Sequence, residues 1–185
     1  SFSVTDELKS DASDTIKFFT KKNLNTTILS GDSHKKTASI AQLLNITDFK
    51  GGQLPEDKLA ELKHLKERTK VAMVGDGVND SPALALADVG ISIGNSNALA
   101  VDSAKVVIVG NKLELLQQLF KISDKVVLTI KQNLFWAFAY NLVAIPLAAA
   151  GYLDPMLAAL SMAFSDVIVI GNSLRLKMIL PNSIR

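Results

Sequence analysis

Residues 71–87 run VAMVGDGVNDSPALALA: a short apolar run (Val71–Val74), an aspartate between two glycines (Gly75, Asp76, Gly77), then Val78, Asn79, Asp80 and a Ser-Pro pair ahead of alternating Ala and Leu. Val71–Val74 has the length and composition of a strand, and Ser81–Ala87, with Pro82 in its first turn, predicts a short helix. A strand that ends in a glycine turn and passes at once into a helix is the opening half of a βαβ unit. The residues on both sides repeat the alternation. Upstream, helical spacing marks Asp6–Lys22 (Leu8, Ala12, Ile16, Phe19), His34–Leu44 and Pro55–Arg68 (Leu59, Leu62, Leu65), with a strand at Thr26–Leu29. Downstream, Val89–Ile93 and Lys105–Val109 predict strands and Lys112–Lys131 a helix. Strands alternating with helices pair in parallel through right-handed crossovers, so the expected class is α/β with a doubly wound parallel sheet.

In such a sheet, ligands bind beyond the carboxyl ends of the strands. Two acidic turns fall there: Ser30, Gly31 and Asp32 after Thr26–Leu29, and Asp76, Asn79 and Asp80 after Val71–Val74. Carboxylate and amide oxygens are the hard ligands that Mg²⁺ takes, usually one or two carboxylates completed by phosphate and water. Glycines let a phosphate approach the backbone, and the following helix N-terminus favours an anion. The same residues also suit helix capping, Asp32 for His34–Leu44 and Asn79 or Asp80 for Ser81–Ala87, and Lys58 suits a solvated helical lysine.

The chain of 185 residues has 20 Lys+Arg against 18 Asp+Glu, a balance that points to no nucleic acid or other polyanion as partner. It has no cysteine, which excludes disulfides, thiolate metal sites and a cysteine nucleophile. Its apolar surplus lies in the last third, where Val126–Leu174 carries only Lys131, Asp154 and Asp166 as charges. Leu134–Leu153 and Pro155–Leu174 each have about the 20 residues of a membrane span and are joined by a Gly151/Asp154/Pro155 turn. They are expected to form a transmembrane hairpin, the lipid bilayer being a partner. Lys125, Lys131, Arg175 and Lys177 flank it and put both ends in the cytoplasm. The alternative is a buried helical hairpin of a soluble protein. The expected organisation is a sheet domain over 1–111, a connecting helix over 112–133, two membrane helices over 134–174 and a cytoplasmic tail over 175–185.

Leu29-Ser-Gly-Asp32, Pro55-Glu-Asp-Lys58 and the run from Val74 to Leu84, in this order and followed by a spanning pair, resemble the motifs of P-type cation-transporting ATPases over essentially the whole chain. That family's phosphorylation domain has a haloacid-dehalogenase-like fold. The resemblance implies that Asp76 binds Mg²⁺, with Asp80 beside it, and that Asn79 and Asp80 organise the site of an aspartyl phosphate. It implies that Ser30, where the family usually has Thr, bonds a phosphoryl oxygen, that Gly31 and Asp32 complete that turn, and that Lys58 neutralises phosphate charge. ATP would act through the complete protein. The D-K-T-G motif that bears the phosphorylated aspartate does not occur in the chain, nor do the family's T-G-E loop and Cys-Pro-Cys membrane motif. The resemblance is therefore to the C-terminal portion of a transporter, inactive alone and partnered by the actuator, nucleotide-binding and other membrane segments.

Polar side chains inside a span are functional candidates. Tyr140 and Asn141 precede Pro146 in the first segment, and Met162, Ser165 and Asp166 share one helical face in the second. The Tyr-Asn and Met-x-x-Ser patterns resemble the copper-exporting subgroup, whose thioether suits Cu(I). Asp166 stands where that subgroup usually has a second Ser, and a carboxylate favours a harder ion such as Zn²⁺. Copper export is the expectation. A zinc transporter, a truncated membrane-anchored regulator of a full transporter and a soluble phosphatase are the alternatives.

Overall fold

The computed structural model of the chain describes residues 8–76, 79–94, 102–152 and 154–179, with the backbone alone at 155, 157–161, 164 and 177–179. The expected start of the first helix at Asp6, the turn residues Gly77 and Val78, Leu153 and the end of the tail lie outside the described residues. The chain divides into two compact units, Ser1–Gln117 and Gln118–Arg185.

The first unit runs α1 (Ala12–Lys21), β1 (Thr27–Leu29), α2 (His34–Leu44), β2 (Asp48–Lys50), α3 (Pro55–Lys66), β3 (Ala72–Gly75), α4 (Ser81–Leu86), β4 (Val89–Gly94) and β5 (Val106–Val109), followed by the start of α5 (Glu114–Ala149). Every named strand pair is parallel, as the alternation requires. The expectation of one sheet needs correction: the described strands form a pair, β1-β2, and a triplet, β3-β4-β5. β1 and β3 each have one strand partner among the described residues, so each leaves an edge open.

β2 was not visible in the sequence, because Asp48–Lys50 contains a single apolar residue, Phe49. It forms by register on β1, Thr27 opposite Asp48 and Leu29 opposite Lys50, and the Thr27 hydroxyl donates to the Asp48 carboxylate at 2.7 Å. Beside β3 the core is small and dense. Leu62 of α3 and Ala83 and Ala87 at α4 are buried, with Leu59, Val71, Met73 and Leu86 packed against them. Alanines at these positions let α4 lie close to the strands. Gly90 in β4 shows how close: a Cβ there would fall 2.2 Å from the Leu84 carbonyl oxygen.

The second unit contains the rest of α5 and α6 (Pro155–Ile179). One helix, α5, carries both the expected connecting helix and the first apolar segment, and it continues through Pro146. The turn is as tight as its residues suggest: Gly151 takes φ +75°, and the Asp154 carboxylate accepts the Met156 N–H at 2.8 Å. Among the described residues, no helix is long and apolar enough to cross a membrane. What the described residues carry of the expected spanning pair is the helical hairpin itself. Gln132, Asn133, Tyr140, Asn141 and Pro146 all lie in or beside the apolar half of α5, and each dilutes its hydrophobicity.

Candidate active site at the strand ends

The turn after β1 is held by backbone bonds on both sides. Ser30 N–H donates to the Lys50 carbonyl of β2 at 2.9 Å, and the Ser30 carbonyl accepts the Gln53 N–H at 2.9 Å. The Ser30 hydroxyl oxygen accepts the Asp32 N–H at 3.1 Å, which closes the Ser-Gly-Asp turn on itself. The capping alternative for Asp32 is not realised. Ser33 caps α2 by accepting the Lys36 N–H at 3.4 Å, and the Asp32 carboxylate, exposed, lies 3.4 Å from Lys36 Nζ. A Cβ at Gly31 would meet only the Gln53 carbonyl, at an ordinary 3.5 Å.

From Gln53 the chain enters α3, and this helix reaches the second acidic turn. The Asp57 carboxylate accepts the Leu54 N–H at 3.0 Å and secures the helix start. One turn in, Lys58 Nζ donates to the Asp80 carboxylate at 2.7 Å, with the two side chains only 14% and 16% exposed. The structure thus brings together two of the expected residues that lie 22 positions apart. Asp80 sits at the N-cap of α4 yet makes no side-chain cap bond, so its carboxylate serves Lys58 rather than the helix. Gly75 makes room for it, since a Cβ there would come within 2.9 Å of Asp80 Oδ2. Asp76 and Asn79 are exposed at the end of β3.

Among the described residues, no three His, Cys, Asp or Glu side chains gather to hold a metal. The donor set fits a different demand. Mg²⁺ that is shared with a phosphate needs one or two carboxylates and keeps several waters. Asp76, exposed at the strand end, and Asp80, four positions on, offer that number of carboxylates, Asp80 through its pairing with Lys58.

A family model for haloacid dehalogenase-like hydrolases matches residues 1–88, the stretch that holds both turns. The copper-exporting P-type ATPase of Staphylococcus haemolyticus is 42% identical over 94% of this chain and 22% of its own length, and that of Mycobacterium leprae is 40% identical over the same shares. The crystal structure of a zinc-transporting PIB-type ATPase in its E2·Pi state superposes with a TM-score of 0.87 at 32% identity, covering 93% of this chain and 28% of that one. Over nearly its whole length the chain is similar to P-type ATPases. It carries a haloacid-dehalogenase-like α/β domain, and it spans about a fifth of the length of the curated relatives it matches.

The residues expected to meet a transported ion lie in the second unit. Tyr140 and Ser165 are half-buried, whereas Asn141, Met162 and Asp166 are exposed. The Asn141 amide donates to the Ala137 carbonyl of its own helix at 3.0 Å, and Met162 is 62% exposed. Sequence reasoning missed a polar group two turns away on the same hairpin, formed by Gln132, Asn133, Asn172 and Ser173. The signal available was two amides at mirrored distances from Tyr140 and Ser165 in otherwise apolar helices.

Proposed function

We propose that the chain is the C-terminal portion of an ATP-driven exporter of a soft metal ion, Cu(I), which works through an aspartyl-phosphate cycle with the phosphorylated Asp outside this chain. The observation that carries this reading is the 42% identity to a copper-exporting P-type ATPase over 94% of the chain, a reach that takes in both units.

In the first unit, Lys58 offers positive charge to a phosphoryl group and is held in place by Asp80. The Ser30 hydroxyl donates to a phosphoryl oxygen, with Gly31 and Asp32 shaping its turn and Asn79 adding an amide. Asp76 holds Mg²⁺, which when bound neutralises charge on the phosphoryl oxygens. Positioning and charge stabilisation do most of the work in phosphoryl transfer, and these side chains supply both.

The second unit belongs in the membrane as part of a larger helix bundle, with the first unit on the cytoplasmic side. Leu134, Phe135, Phe138, Leu142, Val143 and Ile145 present exposed apolar surface along α5. A helix that also carries Tyr140, Asn141 and Pro146 falls short of a lone span because its polar groups require protein neighbours inside a bilayer. Tyr140, Asn141, Met162, Ser165 and Asp166 are the contribution to the path of the ion, completed by the rest of the transporter. Zn²⁺ is the second reading, favoured by the 0.87 TM-score to a zinc-transporting ATPase and by the hard carboxylate of Asp166.

The test is metal-stimulated ATPase activity of the complete transporter. Cu(I) should stimulate it, Met162→Ala should lower that stimulation about ten-fold or more and Asp166→Ala far less, because water replaces an oxygen ligand better than a thioether. Asp76→Asn should abolish phosphoenzyme formation with the fold intact. Stimulation by Zn²⁺ without Cu(I), with the order of the two variants reversed, replaces Cu(I) by Zn²⁺ as cargo.

A further inference from the structure

From Val126 onward the half-buried residues of α5 fall on one stripe, Val126, Thr129, Asn133, Ala137, Tyr140 and Ala144, at spacings of three or four, with Ala139 beside it. Those of α6 do the same at Ser165, Val169, Asn172 and Leu176. These stripes form the seam of the hairpin. Most of the seam is small or aliphatic and has no means of choosing one alignment over another a turn away, because such contacts look much alike after each turn.

One level of the seam is different. Asn172 Nδ2 donates to Asn133 Oδ1 at 2.8 Å and to Gln132 Oε1 at 3.2 Å, and Asn133 Nδ2 donates to Ser173 Oγ at 3.0 Å. The Ser173 hydroxyl donates in turn to the Val169 carbonyl at 2.8 Å. Donors and acceptors match only in this alignment. A slip of one turn would leave two amides facing apolar side chains, and a single amide pair in an apolar seam is a known means of setting register.

Seven residues on from Asn133 along α5 is Tyr140, and seven back from Asn172 along α6 is Ser165. Seven residues make about two turns, roughly 10.5 Å, and return to nearly the same face. The seam position of both residues agrees with that count. We propose that Asn133 and Asn172 form an amide clamp that sets the register of α5 against α6 and so holds Tyr140 and Ser165 level with each other on the path of the transported ion. Both are positioning residues, and the transport half of this inference rests on the functional reading above.

The absence of native cysteine makes the register directly measurable. In the full chain in detergent, Ala137→Cys with Val169→Cys, both on the seam, should be joined by a short bis-thiol reagent. Adding Asn133→Leu, which keeps the branched shape and removes both bonds that Asn133 makes, should reduce the yield several-fold. Asn133→Asp, which keeps the acceptor for Asn172, should restore most of it. In the complete transporter, Asn133→Leu should raise the KM for the stimulating metal about ten-fold, the upper range for lost interhelical hydrogen bonds in membranes, with Asn133→Asp within about three-fold of the parent. Phosphorylation from inorganic phosphate without metal should stay unchanged in both. Cross-linking and KM that do not respond to Asn133→Leu, or that respond equally to the Leu and Asp variants, overturn the clamp. A parent transporter that no soft metal stimulates overturns the functional reading instead, and the cross-link then decides the register alone.

Discussion

Lys58 and Asp80 show how much one contact can settle. The sequence marked both as candidates and left each with an ordinary alternative, a solvated lysine and a helix cap. Their 2.7 Å bond, in a setting where neither side chain is more than about one-sixth exposed, removes both alternatives together. A nearly buried charge that loses its partner is costly, so Lys58→Met should destabilise the first unit by about 1–3 kcal/mol. Lys58→Arg, which keeps the charge, should lose less. Urea unfolding of the full chain checks this, and a midpoint unchanged by the Met variant would show that the pair adds nothing to stability. Close approach was illegible for a related reason: Gly75 and Gly90 look alike in the sequence, yet the first makes room for a carboxylate and the second for a helix backbone.

Elements are tied together by side chains that no periodicity reveals. Asp88, between α4 and β4, accepts the Val71 N–H at 3.0 Å and the Lys70 ammonium at 3.3 Å, and its carbonyl accepts from Lys105 at 2.8 Å. It thereby fastens the start of β3 to the start of β4 and holds the approach to β5. The Val71 N–H bond, foremost, with the lysines Lys70 and Lys66, lowers the Asp88 pKa below its ordinary 3.8. A carboxylate with a depressed folded-state pKa binds fewer protons folded than unfolded. Its stabilisation is therefore present above the ordinary carboxylate value and is lost as pH falls through the lower, folded one. Asp88→Asn should lower stability at neutral pH and flatten the acid limb of the stability profile below about pH 4. Thermal melts of both proteins between pH 3 and 7 measure this, and parallel profiles would count against it. β2 belongs to this scale too, as a strand recruited by its partner rather than by its own composition.

At the scale of the molecule, β1 and β3, the strands that end in the two acidic turns, each have one strand partner among the described residues and so an open edge, as do β2 and β5. An edge strand presents a row of N–H and C=O groups to whatever can pair with it. With the phosphorylated aspartate proposed to lie outside this chain, a strand from the rest of the transporter has these edges to join. Hydrogen exchange tests that expectation: backbone amides of Thr27–Leu29 and Ala72–Gly75 should exchange at least about ten-fold more slowly in the complete transporter than in this chain, because pairing an edge raises the opening free energy of its amides. Equal rates in the two would mean that the edges stay open.

The parallel α/β class, the two acidic turns at strand ends and the helical hairpin were all legible in the sequence, because each depends on periodicity, composition or local turn chemistry. These act within a few residues. The break into two sheets, the strand β2, the Lys58–Asp80 pair, the Asp88 fastening and the Asn133–Asn172 level were decided by tertiary structure alone. Each joins groups far apart in the chain, such as Asn133 and Asn172 at 39 positions. Whether one polar group meets another across such a distance depends on how the intervening elements pack, and no local pattern records that.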